Sequence, residues 1–153
     1  MTENHIETGS CLCGKIKYEF NRKDVISAGH CHCKDCQKIT GSGKATIVFV
    51  HTKKLKINDD YKVYSVVGHD GTNVHRGFCP ECGSPVISYV TEQPNLRFIK
   101  AGSLDNSSWI EIESSFWSVS ACKWDPINNS IPVSYTHLRA HETPEHRGCR
   151  RRG

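Results

Sequence analysis

The stretch Cys11-Leu12-Cys13-Gly14-Lys15-Ile16-Lys17-Tyr18-Glu19-Phe20 carries two signals from which the rest of the chain can be read. From Lys15 to Phe20 polar and apolar residues alternate at period two, the pattern of a strand with one buried face. Just before it, two cysteines flank a single residue. On an extended segment residues i and i+2 point to the same side, so both sulfurs can be turned toward one point. A glycine follows the pair, as it does in Cys79-Pro80-Glu81-Cys82-Gly83, and lets the backbone bend closely around whatever the sulfurs hold.

Outward from this stretch the same strand signal recurs. Residues 1–10 are polar and lead into the first strand, and Asn21 to Asp24 reads as a turn. Val25 to His30 leads into a second cysteine group. Ala45-Thr46-Ile47-Val48-Phe49-Val50 is a β-branched, apolar run with strand character. Leu55 to Ile57 and Tyr61 to Val67 flank an Asn58-Asp59-Asp60 turn, and His69 to Asn73 makes another. Val86 to Val90, Arg97 to Ala101 and Glu111 to Phe116 continue the series. No helix-length period appears apart from a short turn after Cys33. Many short strands without alternating helices exclude a parallel α/β sheet and predict a mostly β, single domain of short antiparallel strands.

Nine cysteines in 153 residues need an explanation. The N-terminus lacks the basic and apolar regions of a signal peptide, and no run approaches the roughly 18 apolar residues of a spanning helix. The mean hydropathy is −0.51. These features predict a cytoplasmic protein with no membrane partner. Cytosolic thiols are kept reduced, so clustered cysteines point to metal rather than to disulfides.

The formal net charge of +4 is unevenly distributed. Five of the 20 basic and two of the 16 acidic residues lie between Val133 and Gly153, leaving 15 and 14 in residues 1–132. The body is therefore close to neutral, which argues against a nucleic-acid partner. The tail has no apolar period after Tyr135, and its first part, Val133-Ser134-Tyr135-Thr136-His137-Leu138-Arg139-Ala140-His141-Glu142-Thr143, resembles one reading frame of the transposon-end adapter used in sequencing libraries. The expectation is a domain over 1–132 followed by a non-native, disordered tail over 133–153, with the natural last residues missing.

The cysteines fall into Cys11 and Cys13, Cys31 with Cys33 and Cys36, Cys79 and Cys82, and the lone Cys122, with Cys149 in the tail. A tetrahedral zinc needs four ligands converging from at least two segments. The simplest partition joins Cys11, Cys13, Cys79 and Cys82 into one closed structural zinc site. Cys31, Cys33 and Cys36 remain as three thiolates without an obvious fourth, the form of a catalytic zinc site with an open position. The alternative is a second structural site completed by His30, His32, His75 or Cys122. Three thiolates and one Zn²⁺ leave a single negative charge, a weak Lewis acid better suited to accepting a fourth thiolate than to activating water.

Four stretches carry a resemblance. Gly9-Ser10-Cys11-Leu12-Cys13-Gly14-Lys15-Ile16-Lys17-Tyr18, Cys31-His32-Cys33-Lys34-Asp35-Cys36 with Gly41, Arg76-Gly77-Phe78-Cys79-Pro80-Glu81-Cys82-Gly83 and Gly102-Ser103-Leu104-Asp105 follow one another as in the glutathione-dependent formaldehyde-activating enzymes, a family shared with centromere protein V. The chain resembles that family from about residue 8 to Trp124. The resemblance implies a β-rich, tent-like fold with two zinc ions, the first CxC and the late CxxC holding the structural one and the CxCxxC the catalytic one. It further implies a carbon–sulfur lyase that joins glutathione, or a similar thiol, to formaldehyde or another small aldehyde, as an S-(hydroxymethyl)glutathione synthase does. A non-catalytic, zinc-stabilised binding module is the alternative. Two departures stand out. Gln37-Lys38 occupies the place where the family shows a basic residue, often a pair. Phe116-Trp117-Ser118-Val119-Ser120-Ala121-Cys122-Lys123-Trp124 stands where an apolar-His-Ile segment commonly precedes the final Trp.

Lys34, Lys38 and Lys44 lie near the CxCxxC and are candidates to pair with the carboxylates of a glutathione-like ligand. Arg76, three residues before Cys79, is a candidate to hydrogen-bond a zinc thiolate. Trp109, Trp117 and Trp124 read as core or rim residues. His32 alternates away from its two cysteine neighbours.

Overall fold

The computed structural model describes residues 5–135. Its elements run β1 (Ile6–Ser10), β2 (Lys17–Asn21), β3 (Val25–Cys31), α1 (Lys34–Thr40), β4 (Ala45–His51), β5 (Lys56–Ile57), β6 (Lys62–Val67), β7 (Asn73–Phe78), β8 (Pro85–Val90), β9 (Leu96–Lys100) and β10 (Ser114–Phe116). The mostly β class expected from the sequence is what forms. The described residues divide between two compact units, one running to Ser27 and then over Ile47–Ile110, the other over Ala28–Thr46 and from Glu111 onward.

In the first unit, β1, β2 and β5 make an antiparallel sheet in that order, with Tyr18 opposite Gly9 and Ile57. The alternation read over Lys15–Phe20 is realised: Ile16, Tyr18 and Phe20 are buried while Lys15 and Lys17 are exposed. Gly9 has a steric reason to be glycine, because a Cβ there would strike the Tyr18 ring and the Ser103 carbonyl. Tyr18 Oη lies 2.6 Å from Ser103 Oγ, and Asp105 N–H donates to Thr8 O at 2.9 Å, so the Gly102–Asp105 segment is tied to β1 and β2.

The same unit contains a run of antiparallel strands in the order β4-β9-β8-β7-β6. Val48, Val50, Val86, Ile87 and Ile99 are almost completely buried and supply its core. Strand β7 departs from the sequence expectation, since Asn73-Val74-His75-Arg76-Gly77-Phe78 has neither β-branched enrichment nor clean alternation. It forms because β6 and β8 offer backbone partners on both sides, and that pairing overrides weak intrinsic preference.

In the second unit β10 pairs with β3 in parallel, with Ser114 opposite Gly29 and Phe116 opposite Cys31. This departs from the all-antiparallel expectation. Tight turns force antiparallel neighbours, but the long stretch of chain between β3 and β10 imposes no such constraint. A Cβ on Gly29 would lie 2.8 Å from Phe116 Cε2, so the close approach of these strands requires glycine. The turn expected after Cys33 is α1, which ends at Gly41 in the left-handed conformation at φ 69°.

The segment expected to be non-native begins at Val133. Val133 bridges Ser115, Ser134 N–H donates to Ser115 O at 2.7 Å, and Val119 N–H donates to Tyr135 O at 3.3 Å. The rest of that segment, 136–153 with Cys149, lies outside the described residues. No helix among the described residues is long and apolar enough to cross a membrane, which says nothing of a β-barrel.

Candidate metal centre

Two groups of sulfurs converge. In the first unit the ligand atoms of Cys11, Cys13, Cys79 and Cys82 all lie within 4.8 Å of one another. The Sγ atoms of Cys11 and Cys13 are 3.7 Å apart, as are those of Cys13 and Cys79. Each pair sits on a tight turn closed by a glycine with positive φ, Gly14 at 86° and Gly83 at 80°. Gly14 N–H donates to Cys11 O at 3.1 Å, and Gly83 N–H donates to Cys79 O at 2.8 Å. The two knuckles are thus alike in construction although 66 residues separate Cys13 from Cys79.

Backbone donors surround these sulfurs. Ile16 N–H donates to Cys11 Sγ at 3.2 Å, and Glu81 and Cys82 N–H donate to Cys79 Sγ at 3.3 and 3.5 Å. Ser84 Oγ lies 3.2 Å from Cys82 Sγ and accepts from Leu12 N–H at 3.1 Å, bridging one knuckle to the other. The Ser84 side chain and backbone, followed by the Cys13 backbone, pull the Cys82 thiol down to about 5. Burial opposes ionisation of Cys11, but the Ile16 N–H and the neighbouring Cys79 and Cys13 outweigh it and hold its pKa below the ordinary thiol value. The Lys15 backbone favours the Cys13 thiolate, yet desolvation and the three facing sulfurs prevail and push it to about 11. Four sulfurs from two segments, two of them already biased toward thiolate, fit a tetrahedral zinc by donor number and type.

In the second unit Cys31, Cys33 and Cys36 form the other group, all three buried and with their sulfurs within 4.8 Å of one another. Cys31 ends β3, Cys33 caps α1 by accepting from Cys36 N–H at 3.2 Å, and Cys36 lies in the first turn of α1. The electrostatics differ from those of the first group, where Cys11 and Cys82 are lowered. Cys31 is raised well above the ordinary thiol value, first by the Cys33 and Cys36 sulfurs and then by burial. Cys31 lowers Cys33 by hydrogen bonding, but Cys36 and burial dominate and push Cys33 to about 12. Cys31 and Cys33 therefore keep their protons unless a cation joins them, and a divalent metal reverses that balance. The donor set fits zinc with one coordination position left over.

Gln37 anchors this group. Its side-chain amide donates to His32 O at 2.9 Å and to Ser120 O at 2.8 Å, and its Oε1 lies 3.4 Å from both Cys122 Sγ and Lys34 Nζ. Cys122 therefore contacts Gln37 and is not part of the three-sulfur group. His32 is 1% exposed, and both of its ring nitrogens are sealed without a partner. Burial, then the Lys44 charge, lowers its pKa and keeps the imidazole neutral. His75 lies on β7 in the first unit, between Ser65 at 2.8 Å and Thr91 at 2.7 Å.

The candidate thiol-binding lysines differ in their surroundings. Lys44 Nζ forms an ion pair with Asp125 at 2.5 Å, Lys34 contacts Gln37, and Lys38 is exposed. Arg76 makes no hydrogen bond to a cysteine sulfur among the described residues. Trp109 Nε1 donates to Asn106 O at 2.8 Å and its ring lies under Arg22, whereas Trp124 is 71% exposed. Ser84 and Asp125 are absent from the sequence-based candidates. Ser84 had a signal, a hydroxyl two residues beyond the CxxC; Asp125 had none, because its partner Lys44 is 81 residues away.

No curated protein sequence matches the chain. A crystal structure of a Rhodobacter sphaeroides protein is similar in fold, with a TM-score of 0.51 at 18% identity, covering 65% of this chain and 88% of that one. The model of one family, described as glutathione-dependent formaldehyde-activating enzyme, matches residues 6–120, a span that takes in both sulfur groups and both knuckle glycines. On that match the chain belongs to the family of glutathione-dependent formaldehyde-activating enzymes.

Proposed function

We propose that this protein is a zinc-dependent carbon–sulfur lyase that adds glutathione, or a thiol like it, to formaldehyde or another small aldehyde. The observation that carries the reading is the three-sulfur group, buried and complete except for one ligand. A zinc ion held by Cys31, Cys33 and Cys36 would supply an open position that favours the thiolate form of an incoming thiol. Cys31, Cys33 and Cys36 hold and orient; they are not consumed. Gln37 fixes the segment on which they sit by gripping His32 O and Ser120 O. The new bond runs from the thiol sulfur to the carbonyl carbon, the C=O double bond becomes C–O, and the proton released by the thiol ends on that oxygen. No electrons are transferred, so the step needs no oxidant or reductant. Lys34 and Lys38 are the lysines best placed to meet the carboxylates of the thiol, since Asp125 already balances Lys44.

The Cys11, Cys13, Cys79 and Cys82 group holds a second zinc with a structural role, and such sites contribute folding free energy directly. The test is to count zinc in the purified protein and titrate it with glutathione while following aldehyde consumption above the uncatalysed rate. Two zinc ions, one perturbed by thiol, with turnover that Cys36→Ser abolishes in a folded protein, is the expected result. Two ions indifferent to thiol and no turnover would leave a zinc-stabilised binding module instead.

A further inference from the structure

The outer face of the three-stranded sheet in the first unit is hollowed into a recess of about 580 Å³. Two cross-strand rows make its floor. Thr8 on β1 stands opposite Glu19 on β2, which stands opposite Lys56 on β5, and Ser10 stands opposite Lys17. Directly opposed residues share a face of a sheet, so these five side chains project together. Gly9, Tyr18 and Ile57 belong to the other face. Along the free side of β1, Leu104 bridges Gly9, and Asp105 is fastened to the strand: its N–H donates to Thr8 O at 2.9 Å, and one carboxylate oxygen accepts from Thr8 Oγ1 at 2.6 Å.

The volume falls within the roughly 300–1,000 Å³ of small-molecule sites. Charge is divided along the longer row, which reads Asp105, Thr8, Glu19, Lys56 from the free side of β1 to β5, with Lys17 two residues from Glu19 on the same face. Among the described residues no hydrogen bond or ion pair takes up the charged ends of Glu19, Lys17 or Lys56, or the second oxygen of Asp105. A lone anion in the recess meets two carboxylates and a lone cation two ammonium groups, whereas a molecule carrying both charges, spaced apart, finds its opposite at each end. Neighbouring strands lie about 4.8 Å apart, so Asp105, one position outside β1, stands about 14 Å from Lys56 at the main chain. An extended chain advances about 3.3–3.6 Å per residue, and Asp and Lys side chains reach inward, so a free peptide of about two to four residues spans the row.

We propose that this recess binds a short peptide with free termini, its ammonium directed to Asp105 and Glu19 and its carboxylate to Lys56 and Lys17. The Thr8 and Ser10 hydroxyl protons go to Asp105 and to Cys11 O, which leaves both oxygens to accept from the peptide's amides. The site stands independently of the reaction at the three-sulfur group. An ordinary peptide fragment and a γ-glutamyl tripeptide such as glutathione both carry this chemistry.

The test uses the full, zinc-loaded chain, with the Thr8, Glu19 and Lys56 amides followed by NMR. Trialanine, S-methylglutathione, N-acetyl-trialanine amide and ammonium acetate are titrated separately at matched ionic strength; methylation keeps the glutathione analogue from presenting a thiol to zinc. The expected result is a saturable shift at millimolar concentrations with trialanine or S-methylglutathione, absent with the blocked peptide and with the unlinked ions. The tighter of the two identifies the source of the peptide. Lys56→Met and Glu19→Gln should each weaken binding about fivefold, while Lys54→Met, outside the recess, leaves it unchanged. Asp105→Asn serves if Glu19→Gln does not fold. Saturation by the blocked peptide, shifts that ammonium acetate reproduces, no saturation by either free peptide, or affinity that survives both Lys56→Met and the carboxylate variant would each overturn the proposal.

Discussion

The two sulfur groups are built from the same short motifs and differ in their electrostatics. The four-sulfur group draws its ligands from two knuckles, and peptide N–H groups donate to Cys11 and Cys79 while Ser84 serves Cys82. The three-sulfur group is local to one stretch of six residues, within which Cys36 N–H donates to Cys33 Sγ. In the first group Cys11 and Cys82 are biased toward thiolate before a cation arrives; in the second Cys31 and Cys33 are held as thiols that a cation must deprotonate. The proposed function accounts for the contrast, since a closed centre can surround its thiolates with donors and one that admits a further thiol keeps a position open.

That contrast can be broken most severely at Cys79. Cys79→Ser removes a fully buried ligand that joins two segments, and structural zinc contributes about 10 kcal/mol or more to folding, as much as the whole stability of many domains. The variant should lose its cooperative thermal transition, whereas Cys36→Ser should keep it, bind one zinc fewer and show no turnover. A folded Cys79→Ser protein would mean that the four-sulfur group is not what holds the fold.

Acidification tests the electrostatic half of the comparison. Protons compete with metal for thiolates, and the competition is stiffest where thiol pKa values are raised, at Cys31 and Cys33 and, in the other group, at Cys13 alone, and weakest where they are lowered, at Cys11 and Cys82. Lowering the pH from about 8 to about 5 should therefore release zinc in two steps, the three-sulfur group emptying first. A chromogenic chelator reads both steps, and Cys36→Ser should lack the earlier one. Simultaneous release would deny any difference between the two centres.

Smaller effects sharpen the picture. Ser84→Ala removes the hydroxyl that meets Cys82 Sγ and Leu12 N–H; thermal or denaturant unfolding should show a loss of about 1 kcal/mol per hydrogen bond, with zinc retained. Asp125→Asn frees the Lys44 charge. Because the pair is partly solvent-exposed, stability should fall by no more than about 1 kcal/mol, and KM for glutathione should drop by a few-fold as another cation becomes available to its carboxylates. An unchanged KM would place the thiol away from Lys44.

Much of this was legible because the deciding signals are local. Both cysteine groups, the knuckle glycines and the strands over Ala45–Val50 and Val86–Val90 rest on spacing and alternation that need no knowledge of the fold. What escaped notice depends on distant partners. Strand β7 is a strand because of its neighbours, and β10 is parallel to β3 because nothing between them dictates a hairpin. Gln37 was visible only as a departure from a family pattern; its grip on Ser120 O, 83 residues away, is a tertiary fact. The burial of Arg76 beside Ser88 likewise follows from register, which alternation within one strand cannot supply.

Val133 to Tyr135 make main-chain contacts: Ser134 N–H reaches Ser115 O, Ser118 N–H reaches Ser134 O, and Val119 N–H reaches Tyr135 O. Main-chain pairing is blind to side-chain identity, so this position beside β10 is a berth for almost any extended peptide with its amides intact. Whatever the origin of residues 133–135, Ser134→Pro, which deletes the donor to Ser115 O, should loosen this pairing. Part of what holds this border of the fold is therefore independent of side-chain identity.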